Sequence, residues 1–256
     1  MSPFLSVVVP VYRNADTVRE LLARICRTCE ARLISFEIVF VDDACPDGSL
    51  AVLKEIAQSD PRVIVLALAR NLGQHQAVLA GLAHARGDWV AIMDADLQDP
   101  PEVLPELLQR GQSGYAAVFA GRRGQYESSA RLLTSRFFKW VLRAVAGVPA
   151  DAGIFCLLSR ALAEKLLSMN DGRASIVAMI GCAGLPMISV PVIRAQRRAG
   201  QSAYNTRMRI KNAWRAIAWA LHWKWRTWLR RPRPRAAALP ALVVYGQRVL
   251  QNRNGE

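Results

Sequence analysis

The sequence predicts an α/β fold in which a mostly parallel sheet is covered by helices on both faces. Four apolar, β-branched runs alternate with segments of helical periodicity through the first half of the chain, and each run ends in polar residues. Continuous apolar strands separated by helices are typical of a parallel sheet whose two faces are both buried.

The predicted strands cover residues 5–12, 36–43, 62–68 and 89–96, and the predicted helices cover residues 15–28, 48–58 and 74–85. A later uncharged stretch, residues 174–193, is about as long as a helix that spans a bilayer. Because Gly181, Gly184, Pro186 and Pro191 interrupt it, we expect a short buried helix, a turn and a strand instead.

Composition and charge narrow the class of protein. The 256 residues, of which 52% are hydrophobic, suffice for one sizeable domain with an appendage, and the five scattered cysteines indicate reduced thiols. Cys26 and Cys29 have no second pair, so we interpret them as helix residues and not as a zinc site. Residues 172–255 hold 16 Lys and Arg and no acid, which indicates an anionic partner, either phospholipid or nucleic acid.

Polar residues stand where the predicted strands end: Tyr12, Asp42, Asp43, Arg70, Asn71, Asp94 and Asp96. Ligands of such sheets bind at the carboxyl ends of the strands, so we expect these residues to line one crevice. Neither a G-x-G-x-x-G turn after the first strand nor a G-x-x-x-x-G-K-[ST] loop is present, which argues against a dinucleotide or P-loop enzyme.

The motif "DADLQD" carries the chemistry. Two carboxylates as close as Asp94 and Asp96 repel each other and persist together mainly beside a divalent cation. Hard oxygen ligands, to which Gln98 adds an amide, indicate Mg²⁺ or Mn²⁺ shared with substrate phosphates. The alternative is a solvated loop with helix-capping acids, and Asp99 before a proline pair is expected to be such a cap.

A second acidic motif, "VDDACPDGS", supplies Asp42 and Asp43 at a strand end. A carboxylate there can accept the N–H of a nucleobase, whereas Asp47 is expected only to cap the following turn.

The chain resembles a family 2 glycosyltransferase of the GT-A fold, in the branch of dolichol-phosphate mannose synthase and bacterial polyprenyl-phosphate glycosyltransferases. The resemblance covers residues 4–212 and is carried by "SVVVPVYRNADTV", "EIVFVDDACPDGS", "LARNLGQHQAVLAGLAHARGDWVAIMDADLQDPPE", "RLLTSRFF" and "RRAGQSAY". It implies a Rossmann-like, nucleotide-diphospho-sugar transferase domain over residues 1–205.

The resemblance also implies a donor site. Pro10, Tyr12 and Asn14 would line the nucleotide pocket, and Asp43, or less favourably Asp42, would read the base. Asp94, Ala95 and Asp96 would meet the donor diphosphate, with Asp94, Asp96 and Gln98 holding Mg²⁺ or Mn²⁺. Arg198 would neutralise the leaving diphosphate, and Ser202 and Tyr204 belong to the same loop.

On the acceptor side the resemblance implies that Arg122, Arg131 and Ser135 grip a lipid phosphate. The family inverts the anomeric centre in one displacement, and an anionic phosphate oxygen needs no strong base. This agrees with histidines 75, 84 and 222, which show no arrangement around the D-x-D, and Glu127 is not assigned as a base. The chain departs from the family at Cys156 and Ala203, where relatives often have arginine and lysine, so the sugar stays open.

Residues 206–235 predict a basic, Trp-rich amphipathic helix, followed by a C-terminal tail over residues 236–256. Trp214, Ile217, Leu221, Trp225 and Trp228 would form one apolar stripe. Such a helix is suited to an anionic membrane surface. The alternatives are packing on the catalytic domain and nucleic-acid binding through stacked bases.

The favoured interpretation is an inverting, metal-dependent glycosyltransferase that moves a sugar from a UDP- or GDP-sugar to a polyprenyl phosphate. We expect it to lie peripherally on the cytoplasmic face of a membrane and to bind no nucleic acid. One alternative is a family 2 enzyme that glycosylates a hydroxyl of a glycan or lipid. Another is a non-catalytic membrane- or nucleic-acid-binding protein on a degenerate GT-A fold.

Overall fold

The structure is a computed structural model that describes residues 3–123, 141, 143–173, 175–194, 206–229 and 236–246, with the side chains of 122–123 and 206–213 outside that description. The strands are β1 Leu5–Val11, β2 Phe36–Asp42, β3 Val63–Leu68, β4 Trp89–Ile92, β5 Ala117–Arg123, β6 Cys156–Ser159, β7 Met187–Ile193 and β8 Leu242–Tyr245. The helices are α1 Val18–Glu30, α2 Ser49–Ser59, α3 Gln74–His84, α4 Leu104–Gln112, α5 Arg160–Met169, α6 Ile176–Cys182 and α7 Thr206–Trp228, and a 3₁₀ turn covers Pro101–Val103.

The strands form one eight-stranded sheet in the order β7-β5-β6-β4-β1-β2-β3-β8. β1 pairs in parallel with β2 and β4, β2 pairs in parallel with β3, and β5 pairs in parallel with β7. Only β6 and β8 among these strands run antiparallel to their neighbours. The predicted α/β class is therefore confirmed, and the carboxyl ends of the six co-directional strands share one edge of the sheet.

Both faces of the sheet are buried, as the apolar strands predict. In β1, Val8 packs into a core formed with α3, α5, α6 and α7, whereas Val7 and Val9 pack into a core formed with α1, α2 and α4. The approach of α3 to β1 is close: a Cβ added at Gly81 would lie 2.3 Å from Cγ1 of Val8. Every residue of β1 is buried, so this strand lies at the centre of the domain.

The uncharged stretch 174–193 contains the predicted helix, turn and strand, since α6 and β7 lie within it. α6 packs in the core beside α5 and α7, and β7 pairs with β5. Among the helices that the structure describes, none combines the length and the apolarity that crossing a membrane requires.

The last described segment returns to the sheet. The amide of Ala237 donates to the carbonyl of Asn170 at 2.6 Å, and β8 then pairs with β3. The ammonium of Lys54 lies 4.3 Å from the ring centroid of Tyr245. Part of the predicted tail 236–256 thus forms an edge strand. The boundaries at residues 205 and 235 stay predictions.

Candidate active site

The loops after β1, β2 and β4 are tied together at the carboxyl edge of the sheet. The amide of Asn14 donates to Oγ of Ser49 at 3.2 Å, and the amide of Ala15 donates to Oδ2 of Asp47 at 3.1 Å. The hydroxyl of Thr17 donates to the carbonyl of Ala95 at 2.7 Å. These bonds join the three loops into one rim, as the sequence predicted for the strand ends.

The acidic motif lies on the loop after β4 and not on the strand. β4 ends at Ile92, four residues earlier than predicted, and the loop that follows turns at Leu97, where φ is 61°. The alternation nevertheless persists: Asp94, Asp96 and Gln98 are partly exposed, whereas Ala95, Leu97 and Asp99 are buried. The three oxygen-bearing side chains therefore face the crevice, and Ala95 contributes its carbonyl to the bond from Thr17.

Asp94 is held from two sides by residues that the sequence analysis did not assign to the site. The side-chain amide of Gln74, the first residue of α3, donates to Oδ1 of Asp94. Arg194, directly after β7, places Nη2 3.8 Å from Oδ2 of the same carboxylate. Gln74 lies inside one of the motifs that carry the family resemblance, which is a weak indication in the sequence that it belongs to the site. No sequence pattern indicated Arg194, because its partners Asp94 and Asp99 lie about a hundred residues away in the chain.

The predicted capping role of Asp99 is wrong. Asp99 is buried and makes no cap bond; its carboxylate instead pairs with Arg194, which donates from Nε to Oδ1 and from Nη2 to Oδ2 at 2.6 Å. Burial opposes the charge of this guanidinium, but the hydrogen bond to Asp99 and the charges of Asp99, Asp94 and Asp96 outweigh it and raise the pKa of Arg194. The pair ties β7 to the acidic loop.

The two aspartates after β2 have different surroundings. Asp43 accepts the amide of Leu72 at Oδ1 (2.7 Å) and the amide of Gly73 at Oδ2 (2.9 Å), so it braces the loop between β3 and α3. Asp42 accepts a long 3.4 Å bond from the amide of Cys45 at Oδ2, and the Cys45 side chain and the Ala44 amide also contribute to its electrostatics, while its buried Oδ1 has no partner. Burial raises the pKa of both carboxyls. Of the two carboxylates, Asp42 is the one with an oxygen that lacks a hydrogen-bond partner, and that oxygen is shielded from solvent in this structure.

The remaining residues of the predicted nucleotide pocket lie at the same rim. Pro10 is buried in β1, and Tyr12 and Asn14 follow it half-buried. The guanidinium of Arg13 lies 5.4 Å from the ring centroid of Tyr12. Asp47 accepts the amide and hydroxyl of Ser49, as predicted for its turn, but it also accepts the amide of Ala15 from the loop after β1, a second role that was not predicted.

Three of the four non-glycine residues with positive φ in the described part of the chain lie on these loops. Arg13, Ala44 and Leu97 have φ values of 60°, 52° and 61°, one in each loop that forms the rim, and the fourth, Leu33, lies after α1. Left-handed backbone at non-glycine residues costs about 1–2 kcal/mol and persists where surrounding contacts enforce it. The loops are thus held in one shape by the bonds that join them.

A divalent cation fits the acidic loop by its donor set. Two carboxylates and one amide oxygen are the hard ligands that Mg²⁺ and Mn²⁺ favour. In the described part of the chain, no third acidic, histidine or cysteine side chain joins them to complete a shell.

Of the predicted acceptor residues, the structure describes only the backbone of Arg122. Arg122 lies at the end of β5 on the same edge, with its side chain outside the description. Arg131, Ser135, Arg198, Ser202, Tyr204, Glu127 and Ala203 all lie outside the described residues. Cys156 is fully buried at the start of β6, and burial raises the pKa of its thiol.

A further carboxylate lies between β5 and β7. A Cβ added at Gly121 would lie 2.1 Å from Oδ2 of Asp151 and 2.2 Å from Oγ of Ser189, and that buried hydroxyl has no partner. The glycine thus makes room for two polar side chains on the sheet beside Arg122. The sequence analysis did not assign either residue to the site.

Helix α7 has two unlike faces. Ala216, Ile217, Trp219, Ala220 and Trp223 are buried, and Trp219 donates from Nε1 to Oδ2 of Asp171 at 2.8 Å. The opposite face leaves large apolar side chains exposed, namely Trp214 (54%), Leu221 (52%), Trp225 (50%) and Trp228 (78%). The predicted stripe is confirmed except at Ile217, which packs into the core.

Comparison with known proteins identifies the family. A family model described as "Glycosyl transferase family 2" matches residues 6–166. The chain belongs to glycosyl transferase family 2. This family 2 chain carries Asp42, Asp94, Asp96 and Gln98 within the matched range, whereas Arg194 lies beyond it.

Curated relatives confirm the predicted branch. The chain is 35% identical over 204 residues to the undecaprenyl-phosphate 4-deoxy-4-formamido-L-arabinose transferase of Edwardsiella ictaluri, which covers 78% of this chain and 63% of the relative. It is 29% identical over 209 residues to the uncharacterized glycosyltransferase YkcC of Bacillus subtilis, covering 80% and 65% respectively. The family 2 chain therefore spans less than two thirds of the length of these relatives.

Solved structures confirm the GT-A fold. The mannosyltransferase PcManGT of Pyrobaculum calidifontis, in complex with GDP-Man and Mn²⁺, superposes with a TM-score of 0.55 at 23% identity over 87% of this chain and 73% of that chain. The glucosyl-3-phosphoglycerate synthase of Mycobacterium tuberculosis, in complex with Mn²⁺, UDP and phosphoglyceric acid, gives 0.63 at 19% identity over 86% and 78%.

Proposed function

We propose that this family 2 glycosyltransferase moves a sugar from a UDP- or GDP-sugar to a polyprenyl phosphate, undecaprenyl or dolichyl, with inversion at the anomeric carbon. The observation that carries the proposal is the row of partly exposed oxygens on Asp94, Asp96 and Gln98, at the edge where β1, β2 and β4 end. Such a row suits a cation-bound diphosphate, and ligands of open α/β sheets bind at this edge.

In this proposal the nucleotide lies between the loops after β1 and β2. Asp42 reads the base, because its Oδ1 lacks a partner whereas both oxygens of Asp43 accept backbone amides. A carboxylate oxygen accepts the imide N–H of uracil or the N–H groups of guanine equally well. Pro10, Tyr12 and Asn14 line the pocket, and the choice between UDP and GDP stays open.

Asp94, Asp96 and Gln98 would hold Mg²⁺ or Mn²⁺ on the donor diphosphate. When bound, the ion stabilises the negative charge that develops on the departing nucleoside diphosphate. Gln74 orients Asp94 for this role from the start of α3. Arg198 and Ser202 are proposed to add contacts to the diphosphate.

The acceptor is proposed by analogy with the Edwardsiella relative, which is an undecaprenyl-phosphate 4-deoxy-4-formamido-L-arabinose transferase. A phosphate oxygen of the lipid attacks the anomeric carbon and forms a new C–O bond, while the bond to the donor diphosphate breaks and its electron pair leaves with the nucleotide. Arg122, Arg131 and Ser135 would bind the lipid phosphate through charge-assisted bonds. A phosphate is already anionic near neutral pH, so no strong base is needed.

The exposed tryptophan face of α7 is proposed to dock on an anionic membrane, peripherally and on the cytoplasmic side. Indole and arginine side chains favour the headgroup region, and each basic residue near an anionic surface adds about 1 kcal/mol. Residues 205–235 contain ten Lys and Arg. The charge of Arg215 in α7 contributes to the lowered pKa of His75, so α7 passes close to the start of α3.

The test is transfer of radiolabel from a panel of UDP- and GDP-sugars, with Mn²⁺ or Mg²⁺, to undecaprenyl or dolichyl phosphate. We expect labelled sugar in the organic phase and its loss when EDTA is added. Metal-dependent nucleotide binding without transfer to lipid phosphate would overturn the acceptor and favour a hydroxyl acceptor, for which Asp151 is a described carboxylate to test as base. Absence of any nucleotide binding would overturn the enzymatic function and leave the membrane- or nucleic-acid-binding alternative.

A further inference from the structure

We propose that Arg194 is a resident counter-cation of the acidic loop, which weakens the binding of a bare divalent ion to Asp94 and favours entry of the metal together with the nucleotide diphosphate. This inference rests on the proposed function, since it concerns the same metal site. In this inference Arg194 does not contact the reacting atoms; it influences whether the metal binds before the nucleotide or together with it.

The two carboxylates that Arg194 contacts are bound unequally. Asp99 receives two hydrogen bonds from the guanidinium, and its side chain is 3% exposed. Asp94 lies 3.8 Å from Nη2, and its side chain is 21% exposed. Asp99 therefore anchors the arginine, while the pair with Asp94 is longer and open to exchange.

The anchor keeps the positive charge in place whether or not a metal is bound. Breaking a buried ion pair by moving one partner leaves an uncompensated buried charge, which is strongly unfavourable. Arg194 is itself only 13% exposed and follows directly on β7, so its backbone is held by the sheet. A metal that approaches Asp94 therefore meets a guanidinium that remains beside it.

The charge has opposite consequences for a bare ion and for an ion bound to diphosphate. A bare Mn²⁺ is repelled by the guanidinium and competes with it for Oδ2 of Asp94. A nucleoside diphosphate brings negative charges of its own, which attract the guanidinium and compensate for the loss of its contact with Asp94. Gln74 meanwhile holds Oδ1, so the carboxylate keeps its orientation during the exchange.

The experiment measures Mn²⁺ affinity by electron paramagnetic resonance or calorimetry, first without nucleotide and then with UDP or GDP. We expect Arg194→Gln to bind bare Mn²⁺ roughly tenfold more tightly than the unmodified protein, and Arg194→Lys, which keeps the charge, to stay close to it. The factor by which UDP or GDP increases Mn²⁺ affinity should be smaller in Arg194→Gln than in the unmodified protein. A purely structural arginine would produce the reverse, since a disordered loop binds metal more weakly.

The matched control is Arg24→Gln. Arg24 also forms a two-bond fork, at 2.9 and 2.7 Å, with a carboxylate next to the acidic loop, that of Glu102. The Arg24→Gln substitution also removes one positive charge but leaves the surroundings of Asp94 unchanged, so the affinity for bare Mn²⁺ should be unchanged. An equal tightening in Arg24→Gln would overturn the specific role of Arg194.

A second pair of variants avoids the buried, unpaired Asp99 that Arg194→Gln creates. Asp99→Asn and the double variant Asp99→Asn with Arg194→Gln should both fold, and the double variant should bind bare Mn²⁺ more tightly than Asp99→Asn alone. Equal affinities in this pair, with Mn²⁺ still bound in the presence of nucleotide, would overturn the inference and leave the proposed function intact. Failure of every variant and of the unmodified protein to bind Mn²⁺ with nucleotide would overturn both.

Discussion

Asp94 is the point at which three distant parts of the chain meet. Its backbone follows β4, Gln74 from α3 donates to one oxygen, and Arg194 from the end of β7 lies beside the other. A side chain held in this way has already lost most of its rotamer freedom, so binding a ligand costs it little further entropy.

At the same scale, Asp96→Asn tests the ligand set. The side chain is partly exposed, so its loss should leave the free energy of unfolding within about 0.5 kcal/mol. Sugar transfer should fall by at least two orders of magnitude, because an amide replaces one of two anionic ligands. Transfer assays and thermal unfolding measure the two effects. Retained activity would remove the metal hypothesis.

Asp42 and Asp43 allow a matched comparison of base recognition with loop bracing. Asp43→Asn should destabilise the protein by about 1–3 kcal/mol, since an amide cannot accept both backbone N–H groups at its two positions. Asp42→Asn should weaken nucleotide binding about tenfold or more with a smaller loss of stability. Calorimetric nucleotide binding and urea unfolding separate the effects. The opposite ranking would return base recognition to Asp43.

Helix α7 shows how one element can serve two surfaces. Trp219 and Trp223 stack with centroids 5.2 Å apart on the buried side, while Trp225 and Trp228 face outward. The buried face packs on α6, and the outer face is the one proposed to dock on a membrane.

Substitutions on the two faces of α7 should have different effects, one on membrane binding and the other on stability. Trp225→Ala with Trp228→Ala should leave thermal stability nearly unchanged but reduce binding to vesicles that contain anionic lipid, measured by co-sedimentation. Trp219→Ala should cost about 3–5 kcal/mol of stability, because it empties a core position and removes the bond to Asp171. If the outer pair instead lowered stability as much as Trp219→Ala, the outer face would be a packing surface.

At the scale of the whole molecule, acidic and basic residues are unevenly distributed along the chain. Residues 1–171 carry 18 basic and 19 acidic residues and supply β1 to β6 and α1 to α5, which include the candidate site at the ends of β1, β2 and β4. Residues 172–255, which contain no acid, supply α6, β7, α7 and β8. The basic part is nonetheless integrated into the fold, since β7 and β8 form the two edges of the sheet.

Global stability should depend on pH through His75, a residue in the first turn of α3 that accepts the amide of Ile176, the first residue of α6, at 3.5 Å. Burial, and secondarily the charge of Arg215, lowers its pKa to about 4. Unfolded histidine titrates near pH 6.5, so between pH ~6.5 and ~4 the unfolded chain holds an extra proton and stability falls as the pH falls, by up to about 1.4 kcal/mol per unit.

Urea unfolding at pH 5 and pH 7.5 of the unmodified protein and His75→Gln measures this slope. The unmodified protein should lose about 1–2 kcal/mol more than the variant on acidification. Asp42 and Asp43, whose pKa values are raised, contribute a slope of opposite sign to both proteins, and the comparison cancels it. Equal slopes would show that His75 takes up a proton in the folded state.

The sequence by itself determined the α/β class, the strand and helix order of the first half, the placement of Asp94, Asp96 and Gln98 at a strand end, and the family. These features depend on local periodicity and on short motifs, which a linear pattern contains. Only the tertiary structure decided that Asp99 pairs with Arg194, that Asp42 and not Asp43 keeps an oxygen without a partner, and that Ile217 turns inward. Each depends on a neighbour remote in the chain or on packing against another element, and no local pattern specifies which buried charge will meet which partner.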